Sequence, residues 1–469
     1  MRYCFRRKSL IFGAFVVAAI ITAIFVFRPA PAGAQSFETY VLTANAWGPA
    51  QDAAVAAAGG SVTFSHRKCG IGVATSASPD FLNLAMGTGA FKTGAQDMIV
   101  EWQPPTREGE MIEAAVTPGD ETFINLMWNI QAVQAEGAWA AGYTGNGVRV
   151  AVIDGGIYNT HIDLVGRVDI AASRSFVPGF GYNQDVGTFW HATHVAGIVA
   201  ANDNAIGTIG IAPGATIIGV KVLHNRSGSF GAVISGILYA STPIAEGGAG
   251  ADIINMSLGA TFPRGGGPGG GWLISALNKA VNYAGKNTLV VCSAGNDAID
   301  LDHSGSLITV PAMSGSGIAV SATGPMGFAV NWPDGATNFR QLASYSNYGN
   351  SLVWLAAPGG DYMLPGDALC TIPRALSGVV TNYCWVFDMV ISCSRGSGAS
   401  ISTYTWAAGT SMAAPAVSAV AALVKQRFPW ISVGALKTHL ARTADDEGKK
   451  GHDPYYGKGF VNAFRAVTE

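Results

Sequence analysis

Three kinds of hydrophobic patterning follow one another along the chain. The first is an uninterrupted apolar run of 18 residues, Leu10 to Phe27, behind the basic residues Arg2, Arg6, Arg7 and Lys8. The second occupies residues 35–103 as short stretches divided by turn residues. There Tyr40 to Ala44, Ser61 to Ser65, Gly70 to Thr75 and Asp97 to Trp102 predict strands. The alanine-rich Gln51 to Ala58, stopped by Gly59-Gly60, and Pro79 to Met86, with Pro in its first turn, predict helices. The third pattern starts near residue 123 and repeats strand, loop and helix. Val148 to Ile153, Ala215 to Leu223, Ile253 to Leu258, Thr288 to Ser293 and Ile318 to Ala322 are apolar on both faces, with helical stretches at Ala192 to Ala201, Ala232 to Tyr239 and Trp272 to Ala284. Strands without alternation belong in a parallel sheet covered by helices on both sides, and such sheets bind ligands at the carboxyl ends of their strands.

The order βαββαβ of the second region is that of a small ferredoxin-like α+β sandwich. Between it and the third region, Pro104-Pro105, Pro118-Gly119 and several carboxylates predict an exposed linker over 104–122, the kind of segment proteases cut. Thr261 to Gly271 reads as a Gly/Pro loop, and 350–405 as a long loop-rich insertion.

Composition narrows the class. Of 469 residues, 49% are apolar and only 12% charged, which excludes a disordered chain and a charge-rich coiled coil. A net charge of −2 provides no field for nucleic acid. The basic start, the apolar run and the small residues Ala30, Ala32 and Ala34 read as an export signal over 1–34, with an uncleaved membrane anchor as the alternative. Export permits disulfides. Cys4 lies in the signal, Cys69 stands alone and Cys292 follows an apolar run. Cys370, Cys384 and Cys393 cluster, allowing one bridge and one free thiol, and we assign the bridge to Cys370 and Cys384.

The residues able to do chemistry lie at element ends. Asp154 closes the strand VRVAVI before Gly155-Gly156; His191 stands where an apolar helix begins. Ser411 follows the Gly409-Thr410 turn at the head of an alanine-rich helix, with Pro415 expected in the first turn. A serine there sits beside free backbone N–H groups and the positive end of a helix dipole, which can hold an oxyanion. Asn296 offers a further amide donor. Singly each has a plainer role as cap, turn former or packed core residue. Together they supply a nucleophile, a base for its proton and a carboxylate to orient the base.

The stretches VAVIDGGI, ATHVAGIVAA and GTSMAAPAVSAVAAL, in the order Asp, His, Ser, resemble the three motifs of the subtilisin-like serine proteases (subtilases, peptidase family S8). NMSLG at 255–259, SAGN at 293–296 and YGKGFVNAFRA at 456–466 are also similar to family segments. The resemblance implies a three-layer α/β/α domain with a mostly parallel central sheet over 123–469, preceded by an inhibitor-type propeptide at 35–103. It implies Asp154, His191 and Ser411 as catalytic triad, Asn296 in the oxyanion hole, and Ser257, Leu258, Gly259, Ala294 and Gly295 along the substrate. Polypeptide substrates, the propeptide as intramolecular inhibitor, a monomer, secretion as a self-processing zymogen and catalysis without a cofactor follow from it. Asp163 and Asn204 match positions that can hold a structural calcium, with carbonyls at Asn202, Ile206 and Thr208, although Ile124 replaces a side-chain ligand; a turn role is the alternative.

Four departures from the family stand out: Ala192 after the histidine, where Gly is usual and a left-handed backbone would strain Ala; Gly155 in place of Ser or Thr; and Ala414 and Ala416. His194 lies three residues after His191, but neither H-E-x-x-H nor a third ligand accompanies it, so zinc is rejected. The acidic loop Asp297, Asp300 and Asp302 reads as solvated, with a second ion site or a preference for basic residues near the cut bond as alternatives. Two other functions remain open: a narrow-specificity processing protease and a catalytically silent peptide-binding module. No serine is flanked by Gly at both −2 and +2, which disfavours a lipase or esterase.

Overall fold

In a computed structural model, describing residues 37–103, 107–112, 122–265, 269–333, 337–375, 377–396 and 402–469, the apolar strands assemble into one central sheet. The export signal read at 1–34 lies outside the described residues. Among the described residues, no helix is long and apolar enough to cross a membrane.

Residues 38–96 form a four-stranded antiparallel sheet in the order β2-β3-β1-β4. Its elements are β1 (Glu38–Thr43), α1 (Pro49–Ala57), β2 (Gly60–His66), β3 (Ile71–Ser76), α2 (Phe81–Gly87) and β4 (Thr93–Gln96). The closing strand therefore comes earlier than Asp97 to Trp102. Gly94 is the reason β4 fits: a Cβ there would meet Leu42 at 2.6 Å and Leu82 at 2.9 Å. Asp97 instead accepts the Gly231 N–H at 3.0 Å, and β5 (Ile99–Glu101) leaves the small sheet altogether.

Within the linker, β6 (Arg107–Ile112) is a paired strand whose Arg107 and Glu108 are exposed. Beyond it come two short helices, α3 (Trp128–Ala132) and α4 (Ala135–Ala140), and then the central sheet. That sheet contains β7 (Arg149–Asp154), β8 (Arg174–Ser175), β9 (Thr216–Lys221), β11 (Ile253–Met256), β13 (Leu289–Ser293), β15 (Ile318–Gly324), β16 (Gln341–Leu342) and β17 (Leu355–Pro358). Every pairing is parallel except that of the two-residue β16 with β15. The order β8-β9-β7-β11-β13-β15-β17 reverses at β7, because the chain goes first to β8 at the edge and β9 beside β7, and then crosses to β11 on the other side. Such a reversal opens a crevice at the carboxyl ends of the two strands that flank it.

Alternation of side chains across each strand fills both faces. Val150 and Val152 join the cluster under α5 (His191–Ala200) and α8 (Thr410–Arg427). Ala151 and Ile153 join the cluster under α6 (Phe230–Ser241) and α7 (Gly270–Ala284). Each fully buried Val or Ile contributes roughly 1.5–3 kcal/mol relative to exposure, which is why β7 is apolar from Val150 to Ile153. Every residue of α8 from Thr410 to Val424 is buried, and its alanines let it pack against β11, β13, β15 and β17.

The stretch 350–405 is more regular than a loop-rich reading allows. It supplies β17, the hairpin β18 (Leu369–Pro373) and β19 (Val379–Tyr383), and the hairpin β20 (Val390–Arg395) and β21 (Ser402–Ala408). β19 alternates exposed and buried residues over VVTNY, the signature of a two-faced strand. Cys370 and Cys384 are bonded, with Cα atoms 4.8 Å apart, while Cys69, Cys292 and Cys393 are buried free thiols.

Candidate active site

Asp154 is the last residue of β7, at the point where the strand order reverses. Its fully buried carboxylate accepts the Gly155 N–H at 2.6 Å and His191 Nδ1 at 2.9 and 3.0 Å. His191 begins α5, and the helix continues through Ala192 without a left-handed residue. The five left-handed non-glycine residues among those described are Gln134, Ala205, Asn225, Arg226 and Ala298, so Ala192 carries no strain. Gly155 is explained by a neighbour the motif does not reveal. A Cβ there would lie 2.2 Å from Asp185 Oδ2, the oxygen that accepts the Gly156 N–H at 2.8 Å. Asp185 also lies 3.7 Å from the buried Lys221, which stands in register with Asp154 on β9. Burial pushes the Lys221 ammonium down, and Asp185 and Asp154 pull it back up.

Ser411 is the second residue of α8, which places Pro415 in the second turn rather than the first. The consequence is chemical. Proline lacks the N–H that would bond the carbonyl four residues earlier. The Ser411 carbonyl accepts Ser257 Oγ–H instead, at 2.7 Å. Ser257 Oγ in turn accepts from Asn255 Nδ2 at 3.0 Å, and Asn255 Oδ1 accepts Ser418 Oγ–H at 2.9 Å. This chain of bonds ties the end of β11 to the head of α8. The Ser411 hydroxyl donates to the Ser257 carbonyl at 3.2 Å, and His191 Nε2 is buried without a hydrogen-bond partner.

Asn296 follows β13. Its Oδ1 accepts the Thr410 N–H at 2.9 Å and the Thr410 hydroxyl at 2.6 Å, which orients its amide against the head of α8. Gly295 adopts φ +104°, and a Cβ there would meet Asn347 Nδ2 at 2.3 Å. Asn347, fully buried, donates to the Ala294 carbonyl at 3.1 Å and accepts the Asp297 and Ile299 N–H groups at 3.0 Å. Sequence reasoning missed Asn347, Asp185, Asn255 and Ser418. Each acts on a segment distant along the chain, and only the YSNYG turn around Asn347 hints at a role.

The structure brings Asp154, His191, Ser411, Ser257 and Asn296 to neighbouring strand and helix ends. Gly259 stands on one side of a groove whose other side is β10 (Ser227–Ser229). The chain's own residues lie in it. β5 pairs antiparallel with β10, the Trp102 and Gln103 N–H groups donate to the Arg226 carbonyl at 3.1 and 3.3 Å, and the Gly259 N–H donates to the Trp102 carbonyl at 2.7 Å. The Trp102 side chain is fully buried, edge-on to Phe230 at 4.7 Å, and its indole N–H donates to the Gly228 carbonyl at 2.9 Å.

His194 stands apart from this chemistry. Its Nε2 donates to the Thr405 carbonyl at 3.0 Å, and burial pushes the imidazole down to about 3, so it is a neutral packed residue. Asp163 and Asn204 do meet, but with the wrong atoms for calcium, which needs oxygen lone pairs. The Asp163 carboxylate accepts Asn204 Nδ2 at 3.2 Å and the Thr208 N–H at 2.9 Å, and Asn204 Oδ1 accepts the Ile206 N–H at 3.0 Å. Burial pushes Asp163 up to about 7, against these donors. His161 and Cys393 lie close by, yet His161 donates through Nε2 to the Thr403 carbonyl and accepts the Asp163 N–H at Nδ1, leaving no nitrogen for a metal. The residues present do not fit a cation. In the acidic loop, Asp300 pairs with His303 at 2.7 Å and Asp302 binds the N–H groups of Asn350 and Ser351.

The sequence model of the subtilase family matches residues 145–459. Subtilisin Savinase of Lederbergia lenta is 36% identical over 346 residues, covering 73% of this chain and 99% of that protein. Among solved structures, a lanthipeptide protease aligns with a TM-score of 0.58 and 25% identity over 74% of this chain and 95% of its own. The epidermin leader peptide processing serine protease of Staphylococcus aureus aligns with a TM-score of 0.66 and 19% identity, over 92% of this chain and 100% of its own, a likeness of fold.

Proposed function

This chain belongs to the subtilase family of serine endopeptidases, and from that premise we propose that Asp154, His191 and Ser411 are its catalytic triad and that it is made as a self-processing zymogen. Asp154 holds His191 by Nδ1, which leaves Nε2 as the base. For reaction the Ser411 hydroxyl turns from the Ser257 carbonyl to His191 Nε2 and gives up its proton as Oγ attacks the peptide carbonyl. The oxyanion is held by Asn296 and the Ser411 N–H at the head of α8. His191 then protonates the leaving amine, and water releases the acyl-enzyme by the same steps. Ser257 to Gly259 and β10 grip the substrate backbone, and Ala294 and Gly295 form the adjoining wall. No step requires a cofactor, and Asp163 and Asn204 serve as a hydrogen-bonded turn.

One observation carries the zymogen reading: residues 99–103 lie as a strand between β10 and Gly259, anchored by the buried Trp102. Residues 35–103 then act as an intramolecular inhibitor delivered to its own cleft. Downstream, Arg107 pairs with Ala408, three residues before Ser411. The cut bond accordingly lies between Gln103 and Arg107. The apolar segment at 1–34 directs export, the bonded Cys370 and Cys384 suit an oxidising compartment, and the processed enzyme is a monomer.

Cleavage of full-length wild type, but not of Ser411→Ala, with the new N-terminus read by mass, tests this function. Equal processing of Ser411→Ala in a protease-deficient host overturns self-cleavage. Failure of a serine-directed phosphonylating reagent to label processed wild type at Ser411 would leave the silent module standing. A narrow processing role draws support from the depth of the Trp102 site and from the likeness to the lanthipeptide protease.

A further inference from the structure

The segment following Gln103 has a second anchorage that the proposed reaction does not use. β6 runs antiparallel to β21, pairing Arg107 with Ala408, Glu108 with Ala407, Met111 with Thr405 and Ile112 with Tyr404. The opposite edge of β21 is taken by β20, and β21 runs through Gly409 straight into α8 and Ser411. Without β6, the outer edge of β21 would present a row of unpaired backbone groups beside the site, a template for an added strand.

A side-chain contact accompanies this pairing. The Arg107 guanidinium carbon lies 5.0 Å from the centre of the Trp385 ring. Trp385 is half-buried in the short helix Cys384–Asp388 and stacks on Tyr383 with ring centres 6.0 Å apart and planes 7° from parallel. Both ends of that helix are fastened, by the Cys370–Cys384 bond and by the buried Asp388, which accepts the Gly327 and Phe328 N–H groups at 2.8 and 2.7 Å. An aromatic face held this firmly attracts a cation at little cost in side-chain freedom. Glu108, the next residue, pairs with Ala407, four residues before Ser411, so this stretch runs beside the chain that leads into the site.

We infer that β21 and Trp385 form a recognition site for the part of a peptide substrate that follows the cut bond. The edge of β21 takes up to six residues as an added antiparallel strand, the mode by which extended peptides join open sheet edges. The Trp385 face takes an arginine or lysine at the position opposite Ala408. The substrate class is thus an extended polypeptide with a basic residue shortly after the cut bond. The inference rests on the peptidase reading above, and the chain's own β6 is its first occupant, which must leave the edge before a substrate binds.

Three quenched fluorescent peptides test it on the processed enzyme: residues 98–114 of this chain, the same peptide with Arg107→Ala, and residues 98–108, which lack most of the strand. The long native peptide should exceed the Arg107→Ala peptide in kcat/KM by roughly 2- to 30-fold, the range of a cation held on an aromatic face. It should also exceed the short peptide. The Trp385→Ala enzyme should lose the preference for arginine, and Trp385→Phe should retain much of it. Equal kcat/KM for all three peptides, or an undiminished arginine preference in Trp385→Ala, overturns the inference while leaving the peptidase reading intact. Absence of any cleavage by wild type overturns that reading and the recognition site with it.

Discussion

On one side of Ser411 the chain's residues 99–103 are bonded along two edges, to β10 and to Gly259, and Trp102 is driven into a closed apolar site. On the other side, residues 107–112 lie along the single edge of β21, with one exposed arginine against an aromatic face. Backbone pairing is common to both. A fully buried indole marks the first, and an exposed arginine over an aromatic face marks the second. On the reading proposed above, the buried indole serves inhibition and the arginine over Trp385 serves substrate selection.

Removal of the indole should have the largest effect. Truncating a fully buried Trp costs about 3–5 kcal/mol, or about two to nearly four orders of magnitude in an equilibrium. Trp102→Ala should therefore let the cut N-terminal fragment separate from the enzyme at least about 100-fold faster, as followed by size-exclusion chromatography over time. Retention as long as in wild type would show that the small sheet, and not Trp102, provides the grip. Asn296→Ala separates chemistry from binding. Loss of one oxyanion donor lowers kcat by about 10²–10³, with KM and fragment retention little changed. On the weaker flank, the change from Arg107 to Ala in a substrate costs only the cation's contact with Trp385.

The smallest effect concerns the loop that follows Asn296. Burial opposes the Asp302 charge, but the N–H groups of Ser351 and Asn350 outweigh it and hold the carboxyl at about 2. A carboxyl lowered from its ordinary ~3.9 adds stability above that value, and the addition is lost as pH falls from about 4 to about 2. Asp302→Asn should thus show a shallower fall of Tm across that window. A slope equal to wild type would mean that the loop is not fastened by this charge.

Much of the molecule was legible in the residues alone. Contiguous stretches carried the parallel strands, the helices over them, and Asp154, His191 and Ser411 at their ends, because strand length, helix heads and turn glycines are local properties. The βαββαβ order of the first region was legible too, although its last strand was placed too late. The pull of Val100 and Trp102 toward β4 could not be weighed against β10, which lies over 100 residues away. The sequence also left Gly155 and Ala192 as anomalies. Asp185 accounts for the first, and the ordinary helical start of α5 for the second.

Local sequence carries the class of element at each position and the chemical kind of group at each end, since both follow from period, propensity and side-chain identity over a few residues. Tertiary structure alone decided which groups meet: Ser257 with the carbonyl that Pro415 leaves unpaired, Asn347 beneath Gly295, donors rather than lone pairs around Asp163, and Arg107 over Trp385. Those meetings depend on how strands are ordered in the sheet and how hairpins fold back on it. That order is fixed by the total burial of two cores, a sum to which distant residues contribute and which no local pattern contains.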